Sequence, residues 1–251
     1  MTNIRTKAQI DKIREASKVV AACHENLRNI IKPGITTMDI DRFVDNFITS
    51  HGAKCAQKGY QGYLYASCTS VNNEICHGLP SNYVLKDGDI VKVDMVANKN
   101  DWMGDSAWCY AVGNISKEAK KLMNVTKQCL DIGISNAFDG NRLGDIGFYI
   151  QSHAEKNGFS VVRDFTGHGI GEDMHEDPAV LHYGQKGRGL RIREGMVFTI
   201  EPMINQGDYD LYIDEDNGWT AYTIDGCLSA QYEHTIAITS NGPEILTKQE
   251  F

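Results

Sequence analysis

The stretch IVKVDMVANKNDWMGDSAWCYAV, residues 90–112, decides the fold. Ile90, Val91, Val93, Met95 and Val96 form an apolar, β-branched run that predicts a strand. Asn98-Lys99-Asn100-Asp101 supplies turn residues, and residues 102–112 predict the returning strand. A tight turn centred on Lys99-Asn100 puts Asp94 directly opposite Asp105, with both side chains on one face of the ribbon. Like charges placed opposite one another destabilise a bare pair, and a bound cation reverses that sign. Two solvated aspartates on an exposed hairpin are the simpler alternative, and the hairpin alone leaves both open.

Upstream of the hairpin, Thr6-Lys7-Ala8-Gln9 is a capping box, with Ile10, Ile13, Val20, Leu27 and Ile31 following at helical spacing until Pro33-Gly34 ends the helix. A second helix is predicted over 38–51. Downstream, Ser116 caps a helix whose apolar side is Leu122, Val125, Cys129 and Ile132, and another helix covers 143–156. Strand patterns return over 196–204, 219–223 and 228–239. At a constant offset of 106, Gly34, Asp39, Ile40, Phe43, Val44 and Gly52 match Gly140, Asp145, Ile146, Tyr149, Ile150 and Gly158. Six matches in one register predict two related halves of a single α+β domain, roughly 1–112 and 113–251, each with helices followed by antiparallel strands. A site then belongs in the cleft between them.

Composition narrows the function. The chain has 251 residues, 41% hydrophobic and 23% charged, with a net charge of -8. That supports a sizeable core and disfavours binding to a phosphate backbone. The N-terminal stretch has no apolar signal core, and no window is long enough for a membrane span. The seven cysteines are irregularly spaced and contain no C-x-x-C, which argues against a disulfide framework or a cysteine zinc site and for a reducing cytoplasm.

Three further segments carry candidate chemistry. Thr166-Gly167-His168-Gly169-Ile170-Gly171 sets an imidazole among glycines, and His175-Glu176-Asp177-Pro178 follows closely. Neither is a P-loop or a zincin helix: the Lys-Ser/Thr ending and the second histidine are missing, and Pro178 would break a helix. Glu201 in FTIEP and Glu233 in QYEHT are acids inside apolar, strand-like runs, where a carboxylate is costly unless paired or metal-bound. Asp94, Asp105, Glu201 and Glu233 together supply enough negative charge for two divalent cations. With one imidazole, the set suits Mn, Co, Fe or Zn, and a two-metal site can activate water for attack on a carbonyl.

The segments NNEICHGLP, KVDM…MGDS, TGHGIG…HEDP, FTIEPM and SAQYEHT resemble, in order and spacing, the signatures of type I (bacterial-type) methionine aminopeptidases, and the resemblance spans essentially the whole chain. It implies the pita-bread fold, with two pseudo-symmetric halves and a central antiparallel sheet covered by helices. The implied activity is removal of the initiator methionine from nascent polypeptides whose second residue is small, in the cytoplasm, by a monomer that meets its substrate at the ribosome. Two divalent ions are implied, with Asp94, Asp105, His168, Glu201 and Glu233 as ligands, Asp105 and Glu233 bridging, and Glu201 as general base. His77 and His175 are implied to steady the substrate amide and the oxyanion. The methionine side chain is expected among Tyr60, Tyr63, Cys68 and Trp219, with Met174 nearby, a soft wall for a thioether. A monovalent cation is implied at Asn72 and Ser229.

The chain departs from the family pattern at three places near the site. Met174 replaces the usual Phe, Val96 replaces a hydroxyl residue two positions past Asp94, and Gln57 replaces a small or Cys residue. The acidic stretch 207–216 is expected to be a solvated hairpin tip. His24, His51, His153 and His182 are expected to be structural. The alternatives are a pita-bread peptidase of X-Pro specificity, a metal-free pita-bread binding protein, and metal-free amidine hydrolysis on the same fold. A Cys68-His nucleophile is a weaker reading still.

Overall fold

The computed structural model describes residues 2–250, so the bounds 1 and 251 of the expected domain lie outside the described residues. Helix α1, Lys7–Leu27, starts where its capping box dictates: the Gln9 N–H donates to Thr6 Oγ1, and the Thr6 N–H donates back to Gln9 Oε1 at 2.9 Å. It stops before Pro33, at Leu27, because residues 28–30 close into a turn through Asn29 N–H to Asn26 O and Ile30 N–H to Leu27 O. Ile31 still reaches the core from outside the helix. Helix α2 is Thr37–Ser50, α3 is Lys117–Ser135 behind the Ser116 cap, and α4 is Leu143–Lys156. On α3, Ile134 rather than Ile132 completes the buried face with Leu122, Val125 and Cys129.

The sequence echo has a structural counterpart. α2 and α4 each have 14 residues, begin 106 positions apart, and use Asp39 and Asp145 to accept the N–H of the residue before the helix. Gly34 and Gly140, which lead into these helices, share φ of 97° and 95°, a region that strains any residue with a Cβ. The two-residue strands Lys54–Cys55 and Ser160–Val161 follow at the same offset.

The hairpin forms, but its register differs from the expected one. Strand Ile90–Lys99 pairs with Trp102–Ala111 so that Asp94 faces Ala107 and Asp105 faces Val96. The loop is Asn100-Asp101, with φ of 53° and 65°, while Lys99 stays in the strand opposite Trp102. A two-residue loop of this kind needs positive φ at both positions, which Asn and Asp tolerate and Lys does not. The shift spans two positions, so both aspartates remain on one face as diagonal neighbours.

All strand pairs are antiparallel. The hairpin and its flanking strands Lys54–Cys55 and Cys68–Val71 form one sheet packed under α1 and α2. A five-stranded sheet runs Gly242–Ile245, His234–Thr239, Val197–Ile200, Gly167–Gly169, Glu176–Val180. Ser229–Gln231, Met203–Asn205 and Ser160–Val161 form a third, and Leu211–Ile213, Ala221–Thr223 and Glu74–Cys76 a fourth.

The expected continuous strands 196–204 and 228–239 are each broken. Val197–Ile200 and His234–Thr239 lie in the five-stranded sheet, whereas Met203–Asn205 and Ser229–Gln231 lie in the third. The breaks fall at Glu201-Pro202 and Tyr232-Glu233. Pro202 has no N–H to continue a ladder, and the Glu233 N–H is diverted to Ala107 O of the hairpin at 2.8 Å. The strand expected from 219 begins only at Ala221, because the Trp219 and Thr220 N–H groups donate to the Asn217 side chain at 2.8 and 2.9 Å.

Candidate metal centre and substrate cavity

Both sheet-switch points carry an acid, and the hairpin delivers two more. The hairpin is fastened to the five-stranded sheet by side chains flanking those acids. Thr235 Oγ1 donates to Asp105 O at 2.7 Å and accepts the Asp105 N–H at 3.2 Å, and Ser106 Oγ donates to Glu233 O at 2.7 Å. Asp105 and Glu233 are thereby brought together below the surface.

His168 completes the cluster. Its Nδ1 faces Gly169 O at 3.0 Å, an atom that only accepts, so Nδ1 carries the proton and Nε2 presents a lone pair. Nε2 lies 3.6 Å from Asp105 Oδ2 and 3.6 Å from Glu201 Oε1. Burial lowers the His168 pKa to about 4, which keeps the ring neutral. Thr199 orders the group, accepting the His168 N–H at 3.0 Å and donating to Glu201 Oε1 at 2.7 Å. Behind Glu201, its own N–H donates to His182 Nε2 at 3.1 Å, so His182 braces the site from outside the cavity.

Ligand atoms of Asp105, His168 and Glu233 lie within 4.8 Å of one another. Asp105 Oδ1 and Glu233 Oε1 are buried with no hydrogen-bond partner. Such orphaned oxygens are costly in a bare protein. Burial raises the Asp94 carboxyl to about 7 and the Glu201 carboxyl to about 8. Burial and then the neighbouring carboxylates also raise Asp105 and Glu233 well above the ordinary carboxylate range. A set of carboxylate oxygens and one imidazole lone pair, short of partners and mutually repelling, fits a divalent cation.

The cluster forms one wall of a cavity of about 460 Å³ that His77, His175, Tyr60, Tyr63, Cys68, Met174 and Trp219 also line, so the candidate divalent-metal, catalytic and methionine-pocket residues of the sequence meet at one place. His175 Nδ1 lies 2.7 Å from the Tyr60 hydroxyl, and its ring is 4.4 Å from that of His168. His77 has φ of 55°, unusual for a residue with a side chain, and its ring meets Phe165 edge-on at 5.2 Å. Tyr63 packs on Trp219 at 5.0 Å and anchors its hydroxyl on Ser67 O at 2.8 Å. Burial drives the Cys68 thiol well above its ordinary pKa, which leaves it a poor nucleophile.

Some site residues were not anticipated. Phe165 precedes the glycine-rich loop with nothing to separate it from core. Gln231 Nε2 is 3.5 Å from Glu201 Oε2, and only its place two residues before Glu233 hints at this. Gln57, noted as a departure, places Nε2 at 3.5 Å from Asp94 Oδ1, whereas Val96 sits in the cavity wall opposite Asp105 and offers no hydroxyl.

One expectation is overturned. Asn72 and Ser229 are implied to hold a monovalent cation, but their backbone oxygens accept hydrogen bonds from Lys92 Nζ at 2.9 and 2.8 Å. That place holds an ammonium belonging to the chain, so it does not fit a free ion.

Residues 11–240 match metallopeptidase family M24. The chain belongs to this family. A methionine aminopeptidase of Clostridium perfringens is 48% identical over 98% of this chain and 99% of its own length. Methionine aminopeptidase 1 of Bacillus subtilis is 47% identical over 97% and 98%. Among solved structures, the methionine aminopeptidase of Rickettsia prowazekii superposes with a TM-score of 0.97 at 45% identity, covering 99% of this chain and all of that one. The architecture is therefore the pita-bread fold of M24. Membership in a metallopeptidase family implies use of divalent metal, in line with the cluster. Among the described residues, no helix is long and apolar enough to cross a membrane.

Proposed function

We infer that the chain is a metal-dependent aminopeptidase that hydrolyses the N-terminal methionine of polypeptides whose second residue is small. The observation that carries this reading is the orphaned pair Asp105 Oδ1 and Glu233 Oε1 beside His168, in a cavity lined by aromatic and sulfur side chains. The residues that would hold two divalent ions are Asp94, Asp105, His168, Glu201 and Glu233, with Asp105 and Glu233 shared. Bound ions would supply Lewis acidity toward the scissile carbonyl and make the attacking water more acidic.

The chain supplies the rest. Glu201, held at Oε1 by Thr199, takes a proton from the attacking water and returns it to the departing amine. His175, fixed at Nδ1 by Tyr60, and His77, fixed against Phe165, steady the substrate amide and the developing oxyanion. Tyr63, Trp219, Cys68 and Met174 surround the thioether. The confined cavity excludes bulky second residues by sterics. The same reading makes nascent-chain N-termini the substrates, in the cytoplasm and at the ribosome, with Mn, Co, Fe or Zn as the metal and a monomer as the working unit.

The test is an assay of metal-stripped protein on Met-Ala-Ser, Met-Leu-Ser and an X-Pro peptide, with each metal added back. Methionine is expected from Met-Ala-Ser only with metal, and poorly from Met-Leu-Ser. Preferential cleavage of the X-Pro peptide, or no cleavage with any metal, would sink the reading.

A further inference from the structure

Lys92 lies on the central strand two residues before Asp94 and is only 1% exposed. It heads the largest side chains that are fully buried. A buried ammonium has to be compensated by partners. Those partners are two backbone carbonyls, Asn72 O at 2.9 Å and Ser229 O at 2.8 Å. The nearby Glu74 acts on the ammonium only through its charge, because its hydrogen bonds go elsewhere: it accepts the Val71 N–H at 2.5 Å and the Tyr222 hydroxyl at 3.2 Å.

The two carbonyls belong to different segments. Asn72 sits in the turn between strands Cys68–Val71 and Glu74–Cys76, just upstream of His77, and holds φ of 51°. Ser229 opens the strand Ser229–Gln231 that leads to Glu233. The Ser229 N–H also donates to Asn72 O, at 3.1 Å. Three segments, leading to His77, Asp94 and Glu233, thus converge on one positive charge. Carbonyl oxygens gathered around a compact cation are the ligand chemistry of small monovalent ions.

We propose that the Lys92 ammonium is a tethered monovalent cation, built into the chain at the junction of three site-bearing segments, and that shortening this side chain converts the junction into a binding site for K⁺ or Na⁺. The stem of Lys92 fills the space such an ion would need, so the native chain has no use for a free ion there. Lys92→Ser opens that space and adds one more oxygen.

The experiment measures the melting temperature of the full chain in KCl, NaCl or choline chloride at equal ionic strength, choline being too large for the junction. Wild type is expected to melt at the same temperature in all three. Lys92→Ser is expected to melt roughly 5–10 °C lower in choline, and to recover saturably as K⁺ or Na⁺ is added. Lys92→Met, which fills the space without charge, is expected to be destabilised equally in all three salts. In crystals soaked with Rb⁺, an anomalous peak between Asn72 O and Ser229 O is expected for Lys92→Ser and none for wild type. Selective stabilisation of wild type by K⁺ or Na⁺ would overturn the proposal. So would a Lys92→Ser melting temperature indifferent to the cation, or a Lys92→Met protein as stable as wild type. Should Lys92→Ser fail to fold in choline chloride, its recovery on refolding in KCl or NaCl is the expected result, and failure to fold in all three salts would overturn the proposal.

Discussion

Asp105 and Glu233 in the cavity wall are 4% and 2% exposed, and each leaves an oxygen without a partner. Asp225, facing the acidic stretch 207–216, stands in water and is fed by backbone N–H groups, from Asp208 at 2.7 Å and from Cys227 at 2.9 Å. Those backbone bonds hold the Asp225 carboxyl below its ordinary range, whereas burial and like-charged neighbours push Asp105 far above it. Both regions are rich in acid, so charge count does not separate them. What separates them is whether the surrounding chain supplies donors. A carboxylate cluster that is buried and left short of donors suits a cation, and one wrapped in turns is only an acidic loop.

The largest effect should come from breaking the cavity side of that contrast at Glu201, the proposed general base. Glu201→Gln keeps the size and the contact with Thr199 but cannot take a proton, and should lower kcat on Met-Ala-Ser by roughly 10²–10⁴-fold. An effect below tenfold would remove Glu201 as the base.

Next in size is the pH dependence of the metal-free protein. Asp94 and Glu201 are raised from 3.8 and 4.5 to about 7 and about 8. A raised carboxyl contributes stability that is fully present below its unfolded pKa and is lost as pH rises through the folded value. The metal-free chain should therefore weaken from about pH 4 to pH 8, the range set by those values, and divalent metal should flatten the profile. Asp225 has the opposite sign, contributing stability above its unfolded pKa that is lost as pH falls. Urea midpoints across this range, with and without Mn²⁺, would show it. A flat metal-free profile would contradict the strain assigned to the cluster.

The smallest effect should come from the loop. Asp210→Asn, at an exposed position within the same acidic stretch, should change stability by less than about 0.5 kcal/mol and leave turnover unchanged. A large loss would mean that the loop does more than solvate its charge.

Much of this was legible in the sequence because it rests on local rules. The Thr6–Gln9 box, the Ser116 cap and the offset of 106 placed helices to within a few residues, and the motif set named residues that share one cavity. The errors were tertiary. Apolar patterning ran through Glu201 and Glu233 as if each strand continued, because periodicity carries no mark of a chain leaving one sheet for another. The hairpin register turned on which pair of residues could adopt positive φ, and Asn100-Asp101 won over Lys99-Asn100. Lys92 was hidden for a different reason: a lysine in an alternating strand reads as solvent-facing, and only three-dimensional contacts reveal carbonyls closing over it.

If the orphaned carboxylates of Asp105 and Glu233 form a divalent-metal site, metal has to displace protons from it. The most direct test is calorimetric titration of metal-stripped protein with Mn²⁺ in two buffers of different ionisation enthalpy. Binding is expected to approach two ions per chain, to release protons, since burial and like charge raise the carboxyl pKa values of the metal-free cluster, and to be lost on Glu233→Gln. Binding without proton release, or binding unchanged in Glu233→Gln, would contradict it.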